Sequence, residues 1–215
     1  MTKKSAESKL IIKNAFNKIA SRLLSKDITT SNDSPLIYIT SCSRQQGKST
    51  ISSLLAYYCA LISDKKILLL DSNMDNPQIA NLFGVTEQGL SETLSSDQGK
   101  INVQATDVSN LWVLPAGNQP DSTSLYMQHR VSKFIDTIKQ QFDLILVDSS
   151  SVDANAGNSI AHIADGVVLV IDATSTRKAD IDNIDQALNI NKDKIIGAIL
   201  NKHQKYVPNF IARLL

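Results

Sequence analysis

The stretch from Leu36 to Thr50, LIYITSCSRQQGKST, constrains the fold more than any other part of the chain. Leu36 to Ile39 reads as a buried strand, and a polar loop then runs to Gly47, Lys48, Ser49 and Thr50. An amphipathic helix follows, with Ile51, Leu54, Leu55, Tyr58 and Ile62 on one face. Strand, loop and helix in that order leave free backbone N–H groups at the helix N-terminus, where partial positive charge can hold a phosphate chain. Gly47 lets the backbone come close, Lys48 reaches the outer phosphates, and the Ser49 hydroxyl is placed to ligate Mg2+. Gln46 and Thr50 flank these residues and join the expected nucleotide contacts. The match to G-x-x-x-x-G-K-[ST] is incomplete, because Cys42 stands at the first glycine position. Gly-Lys-Ser alone is common by chance; the strand before it and the helix after it favour nucleotide binding over a plain strand-turn-helix.

A chain of 215 residues, 42% of them hydrophobic, suits one α/β domain with a large core and an extension. The expected division is a helical extension and linker over residues 1–30 and a nucleotide-binding domain over 31–215. A net charge of +1 argues against a surface that coats nucleic acid. No apolar run approaches the roughly 18 to 20 residues needed to cross a bilayer, and the lysine-rich start has no apolar signal segment behind it. A cytoplasmic location is therefore expected. Cys42 and Cys59 have neither metal-ligand spacing nor a plausible disulfide framework. Cys42 reads as a small residue in a glycine-like slot rather than as a redox sensor.

Ser5 to about Ser25 has helical spacing, with Ile12, Phe16, Ile19 and Leu23 on one face. Such a helix must pack on the domain or on a partner, and the polar run to Pro35 reads as a linker. Further along, Lys66 to Leu70 gives a second buried strand, followed by a short helix at Pro77 to Phe83 and another around Leu90 to Leu94. Leu111 to Leu114, Phe142 to Val147, Gly166 to Ile171 and Ile195 to Leu200 are further strands, with helices predicted over Ser124 to Gln141 and Lys178 to Leu188. In these helices Val131, Phe134, Ile135, Ile138, Ile181, Ile184 and Leu188 face inward. The alternation predicts an α/β fold with a doubly wound, mostly parallel sheet.

Two of the apolar strands end in aspartate, at Asp71 and Asp148. Ligands of open parallel sheets bind at the carboxyl ends of the strands, and a strand-ending carboxylate there can hold a Mg2+ shell. Asp71, Asp148 and Lys48 are therefore the candidate catalytic residues, with Ser49, Asp71 and Asp148 toward the metal. His129, His162 and His203 share no spacing and are read as surface or packing residues. Asp180, Asp182 and Asp185 lie near a helix N-terminus and read as a solvated face. The tail KHQKYVPNFIARLL mixes bases with Tyr206, Phe210 and Ile211, and either docks on a membrane protein or lipid headgroups or closes the core edge.

QQGKST, LLLDSNMDNP, VLPAG, FDLILVDSS, ADGVVLVIDATST and the strand ending ILNK together resemble the bacterial tyrosine kinases of capsule and exopolysaccharide export. These belong to the deviant phosphate-loop ATPases, which also include the partition and septum-placement proteins. The resemblance implies ATP and Mg2+ as cofactors, Lys48 and Ser49 on phosphates and metal, Asp71 and Asp148 serving the metal and the incoming hydroxyl, and Asn201 on the adenine. It implies an inner-membrane chain-length regulator as partner, with the chain held peripherally at the membrane through it, and a homo-oligomer. Partition ATPases carry an extra lysine where Ser43 stands, which sides with the polysaccharide branch.

Departures from the family pattern fall in the site itself. Arg44 and Gln45 replace proline and glycine, which predicts backbone strain on the order of 1 kcal/mol and weaker binding. Asn73 replaces a second aspartate, and Asp75 and Asn76 replace arginines, so any base role falls to Asp71 or Asp75. Ser149 and Ser150 replace a proline pair. The family's tyrosine cluster at the C-terminus is reduced to Tyr206, and its ring-forming glutamate and arginines correspond to Asn14, Asn17 and Ala20. Two rivals to an active kinase therefore stand: a catalytically impaired regulatory module, and a partition-type ATPase.

Overall fold

In the computed structural model the described residues are 3–25, 34–95, 101–118, 128–152 and 159–203. The linker residues 26–33, the predicted start of a helix at Ser124 and the tail with Tyr206, Phe210 and Ile211 lie outside them, as does the side chain of His129.

The strands are β1 (Leu36–Ser41), β2 (Ile67–Asp71), β3 (Gln104–Ala105), β4 (Leu111–Leu114), β5 (Leu144–Asp148), β6 (Gly166–Asp172) and β7 (Ile195–Asn201). They form one 7-stranded sheet in the order β3-β4-β2-β5-β1-β6-β7. Every neighbouring pair is parallel except β3 with β4, which is antiparallel. The predicted doubly wound α/β sheet is thus present, and β3 adds a two-residue edge strand that the sequence reading did not contain. Its two residues are too short to carry a period.

Strand residues are buried on both faces of the sheet centre, because helices cover both. Tyr38, Leu68, Leu70, Ile145, Val147 and Leu169 point into one apolar layer, shared with α4 (Leu90–Ser95), α5 (Gln128–Lys139) and α6 (Ser159–Ile163). Ile37, Ile39, Leu69, Leu146 and Val170 alternate with them into the other, beneath α1 (Lys3–Leu23) and α2 (Lys48–Leu61). The alternation is the two-residue period of a pleated strand expressed in a sheet with two dry faces.

α1 lies on the domain: Phe16, Ala20 and Leu23 are buried, and the Phe16 ring stacks on Tyr58 of α2 at 5.5 Å. Ile12 is the exception to the predicted face, being 50% exposed. α2 buries Ile51, Leu55, Cys59 and Ala60, with Leu54 and Tyr58 half-buried. Ile62, assigned to the same face, instead caps the end of the helix and is exposed. α3 (Ile79–Phe83) starts two residues later than predicted. The helix predicted over Lys178 to Leu188 is two short ones, α7 (Lys178–Asp182) and α8 (Ile184–Leu188), meeting at Asn183. Ile184 and Leu188 are buried as predicted, and Ile181 is half-buried. His162, His203, Asp180 and Asp182 are exposed, while Asp185 is half-buried.

Candidate functional site

A parallel sheet presents the carboxyl ends of its strands along one edge, so the sequence order of β1, β2, β5, β6 and β7 delivers Ser41, Asp71, Asp148, Asp172 and Asn201 to one place. β1 lies between β5 and β6, and the loop after it, residues 42–47, crosses this edge before entering α2. Gly47 precedes the helix in the left-handed conformation, φ +87°, which a side chain disfavours. A Cβ there would lie 2.3 Å from the Asn201 amide nitrogen. Cys42 has no positive φ, so the first glycine position of the motif tolerates a side chain here. Gln45 does have one, φ +60°, and the strain expected at this pair of positions therefore falls on Gln45 rather than on Arg44.

The loop and the segment after β2 wall a cavity of about 520 Å³. Gly47, Lys48, Ser49 and Thr50 line one side, Asn73, Asp75, Asn76 and Gln78 another, and Ser150 and Ser151 a third. Arg44 reaches across its mouth to Asp75, 3.4 Å away. Lys48 is buried. Gln46 is also buried, its side-chain amide donating to the Thr176 hydroxyl at 2.8 Å and its backbone carbonyl accepting from Asn201 Nδ2 at 2.9 Å.

The predicted aspartates lie beneath the cavity floor, both fully buried, with Asp71 directly beside Asp148 in the β2–β5 register. Their surroundings differ. Asp71 accepts backbone N–H groups of Asn73 at 2.9 Å and of Gln78 and Ile79 at 3.2 Å, which pins the turn after β2 to the start of α3. Burial, then the neighbouring Asp148, still raise its pKa, to about 7. Neither carboxylate oxygen of Asp148 has a hydrogen-bond partner at full geometry. Burial raises its pKa as well, and the nearby Ser49 and Ser52 hydroxyls and Lys48 ammonium lower it only in part.

The structure brings together all the sequence-predicted residues: Gln46, Gly47, Lys48, Ser49, Thr50, Asp71, Asp148 and Asn201 converge on this edge of the sheet. It adds Arg44, Ser150, Asp172 and Lys202. Ser150 donates to the Asn73 side-chain oxygen at 3.1 Å. Asp172 ends β6, a strand of the same apolar-then-aspartate pattern that singled out Asp71 and Asp148, so its signal is present in GVVLVID. Among the described residues no group of three or more His, Cys, Asp or Glu is arranged to hold a metal. None of the described helices is long and apolar enough to cross a membrane.

No family model matches the chain. Tyrosine-protein kinase CpsD of Streptococcus agalactiae serotype III is 30% identical over 184 residues, covering 83% of this chain and 78% of the relative. Tyrosine-protein kinase YwqD of Bacillus subtilis is 31% identical over 185 residues, covering 79% and 75%. The chain belongs to the bacterial tyrosine-kinase family. The kinase domain of VpsO superposes with a TM-score of 0.76 at 25% identity, covering 94% of this chain and 100% of the other. Against the resemblance read from the sequence, this family member keeps Lys48 and both buried aspartates but has the amide of Asn73 facing Ser150.

Proposed function

We propose that this bacterial tyrosine-kinase homologue binds ATP with Mg2+ in the cavity between the phosphate loop and the Asn73–Gln78 segment. We propose that it acts in capsule or exopolysaccharide synthesis or export, beside an inner-membrane chain-length regulator. The observation that carries the nucleotide reading is Asp148: a buried carboxylate with no fully formed hydrogen bond at either oxygen, close to Lys48, Ser49 and Ser52. A buried anion left in that state is costly, and a divalent cation with its water shell offsets the cost. The residues present fit such a group. Ser49 and Asp148 would hold the metal, with Asp71 behind Asp148; Gln46, Gly47 and Thr50 would surround the phosphates; and Asn201 would meet the base. MgATP, when bound, supplies the phosphoryl group to be transferred.

For transfer to a tyrosine, Lys48 neutralises charge on the outer phosphates and a carboxylate accepts the hydroxyl proton. Asp75 suits that base role better than Asp71, because Asp75 lines the cavity while Asp71 lies beneath it, holding three backbone N–H groups.

A second reading, a regulatory module that binds nucleotide without turning it over, is favoured by the same region. Asn73 cannot act as a base, and Asp75 is engaged by Arg44. Calorimetric titration with MgATP, using Lys48→Ala as control, tests the shared part: binding is expected in the wild type and lost in the variant. No binding at millimolar nucleotide overturns both readings. Phosphotyrosine formation by the wild type with its membrane partner then supports the kinase. Nil turnover, with a partner complex that responds to nucleotide, supports the regulator.

A further inference from the structure

The end of β7 reaches back over the phosphate loop and grips consecutive loop residues. Lys202 Nζ donates to the Gln45 carbonyl at 3.0 Å and to Asp172 Oδ2 at 2.7 Å. The amide of Asn201 donates to the next carbonyl, that of Gln46. Asp172 is itself fixed: its other oxygen accepts the Thr174 hydroxyl at 2.6 Å and the Thr174 N–H at 2.9 Å. The Lys202 ammonium and the Thr174 contacts hold this carboxyl well below the usual carboxylate range, so it is charged whenever the chain is folded near neutrality.

Gln45 is the loop residue that most needs holding. At φ +60° a residue with a Cβ is strained relative to the right-handed region, a penalty glycine does not carry. A loop carrying that strain relaxes unless an outside contact opposes it. Lys202 supplies the contact through a charged donor on the Gln45 carbonyl.

We propose that Lys202, fixed by Asp172, is a positioning residue for nucleotide binding: it holds Gln45 in the left-handed conformation in which Gly47, Lys48 and Ser49 line the cavity. The inference rests on the nucleotide reading above and deepens it. It also explains how a phosphate loop without glycine at position 45 keeps its shape. The Gly-Lys-Ser signature makes no demand on residue 202, and the side chain is 47% exposed, so its loss leaves the core intact.

The test is calorimetric titration of MgATP into the wild type, Lys202→Met, Lys202→Arg, Gln45→Gly and the Gln45→Gly/Lys202→Met double variant, with thermal melts alongside. The strain released in Lys202→Met lowers the binding-competent fraction of the loop, and affinity falls about fivefold. Lys202→Arg, which keeps the charge and the reach, stays near the wild type. In the Gln45→Gly background the same Lys202→Met change costs no more than about twofold, because glycine takes the left-handed conformation unaided. Asp172→Asn, which frees the ammonium, reproduces the loss by a second route. An equal loss with and without Gln45→Gly, or no loss in either background, overturns the inference while leaving the nucleotide reading in place. A wild type that melts normally but binds no MgATP overturns that reading and the inference with it.

Discussion

Asp71 and Asp148 sit side by side at the ends of adjacent parallel strands, two carboxylates in register and both out of contact with water. They divide the work between them. Asp71 is consumed by the backbone, where its acceptors fasten the turn that forms one cavity wall. Asp148 has no fully formed hydrogen bond at either oxygen, only the nearby Ser49 and Ser52 hydroxyls and the Lys48 ammonium. Two like charges so placed raise each other's cost of ionisation, and burial raises it further. A cation at Asp148 relieves both, which couples the folded state of the site to what it binds.

The sign of the resulting pH dependence follows. Asp71 is raised from 3.8 to about 7 and Asp148 from 3.8 to about 6, so between those limits the folded chain binds more protons than the unfolded one. Stability contributed by this pair is present at the acid end and is lost as pH rises through the window. Asp148→Asn removes one of the two buried charges. In metal-free protein it is expected to raise stability at about pH 8 by an amount on the order of 1 kcal/mol, seen as a higher melting temperature, with the gain shrinking toward about pH 4. Thermal melts in chelator across that range check it; a lower melting temperature than the wild type at the alkaline end would contradict the assignment.

Gly47→Ala attacks the loop from the other side. The new Cβ would occupy a left-handed residue at φ +87° and lie 2.3 Å from the Asn201 amide, which must leave the Gln46 carbonyl. Strain and a lost hydrogen bond together cost about 2 kcal/mol of stability. MgATP binding is expected to disappear, since the residue at the helix entry and the contact that shapes the loop move together. Urea denaturation and calorimetry on the same sample measure the two effects.

Much of this site was legible because its signals are local. QQGKST between an apolar strand and a helix, and apolar strands ending at Asp71 and Asp148, are readable without knowing the neighbours. Parallel pairing then brings them to one edge. What escaped depends on contacts far apart in sequence. Lys202 meets Gln45 across 157 positions, and nothing near Lys202 announces it. Asp172 escaped for another reason: its strand carries the same signature, but the resemblance assigned roles to the other two strand ends only. Ile12 and Ile62 show where periodicity overreaches, since a helical stripe persists past the point where a helix leaves the core. The break at Asn183 left the apolar spacing of Ile181, Ile184 and Leu188 intact, so the pattern could not reveal it.

Phe16 carries the attachment of α1. Its ring is 8% exposed and stacked on Tyr58, while Leu10 and Ile11 earlier in the helix are largely exposed. Phe16→Ala removes the largest buried side chain of this contact, and a loss of about 3 kcal/mol is expected. If α1 were only loosely laid on the domain, the loss would fall below about 1 kcal/mol, as for a surface substitution. Urea denaturation of the two proteins separates these outcomes.

Arg44 and Asp75 face each other across the cavity mouth with side chains 67% and 39% exposed, so their ion pair is screened by solvent. Breaking it by Arg44→Ala is expected to change folding stability by no more than about 0.5 kcal/mol. Its effect on binding is larger, because Arg44 and Asp75 place opposite charges beside the space assigned to a polyanion. Arg44→Ala should weaken MgATP binding by roughly three- to tenfold at low salt, and the difference should narrow as ionic strength rises. Asp75→Asn works in the opposite sense on affinity, since it removes a negative charge from the cavity wall. If Asp75 is the base, the same variant lowers phosphotransfer by roughly 100-fold or more while binding tightens. Tighter binding with unchanged turnover would return the base role to Asp71, and turnover absent from the wild type as well would favour the regulatory reading.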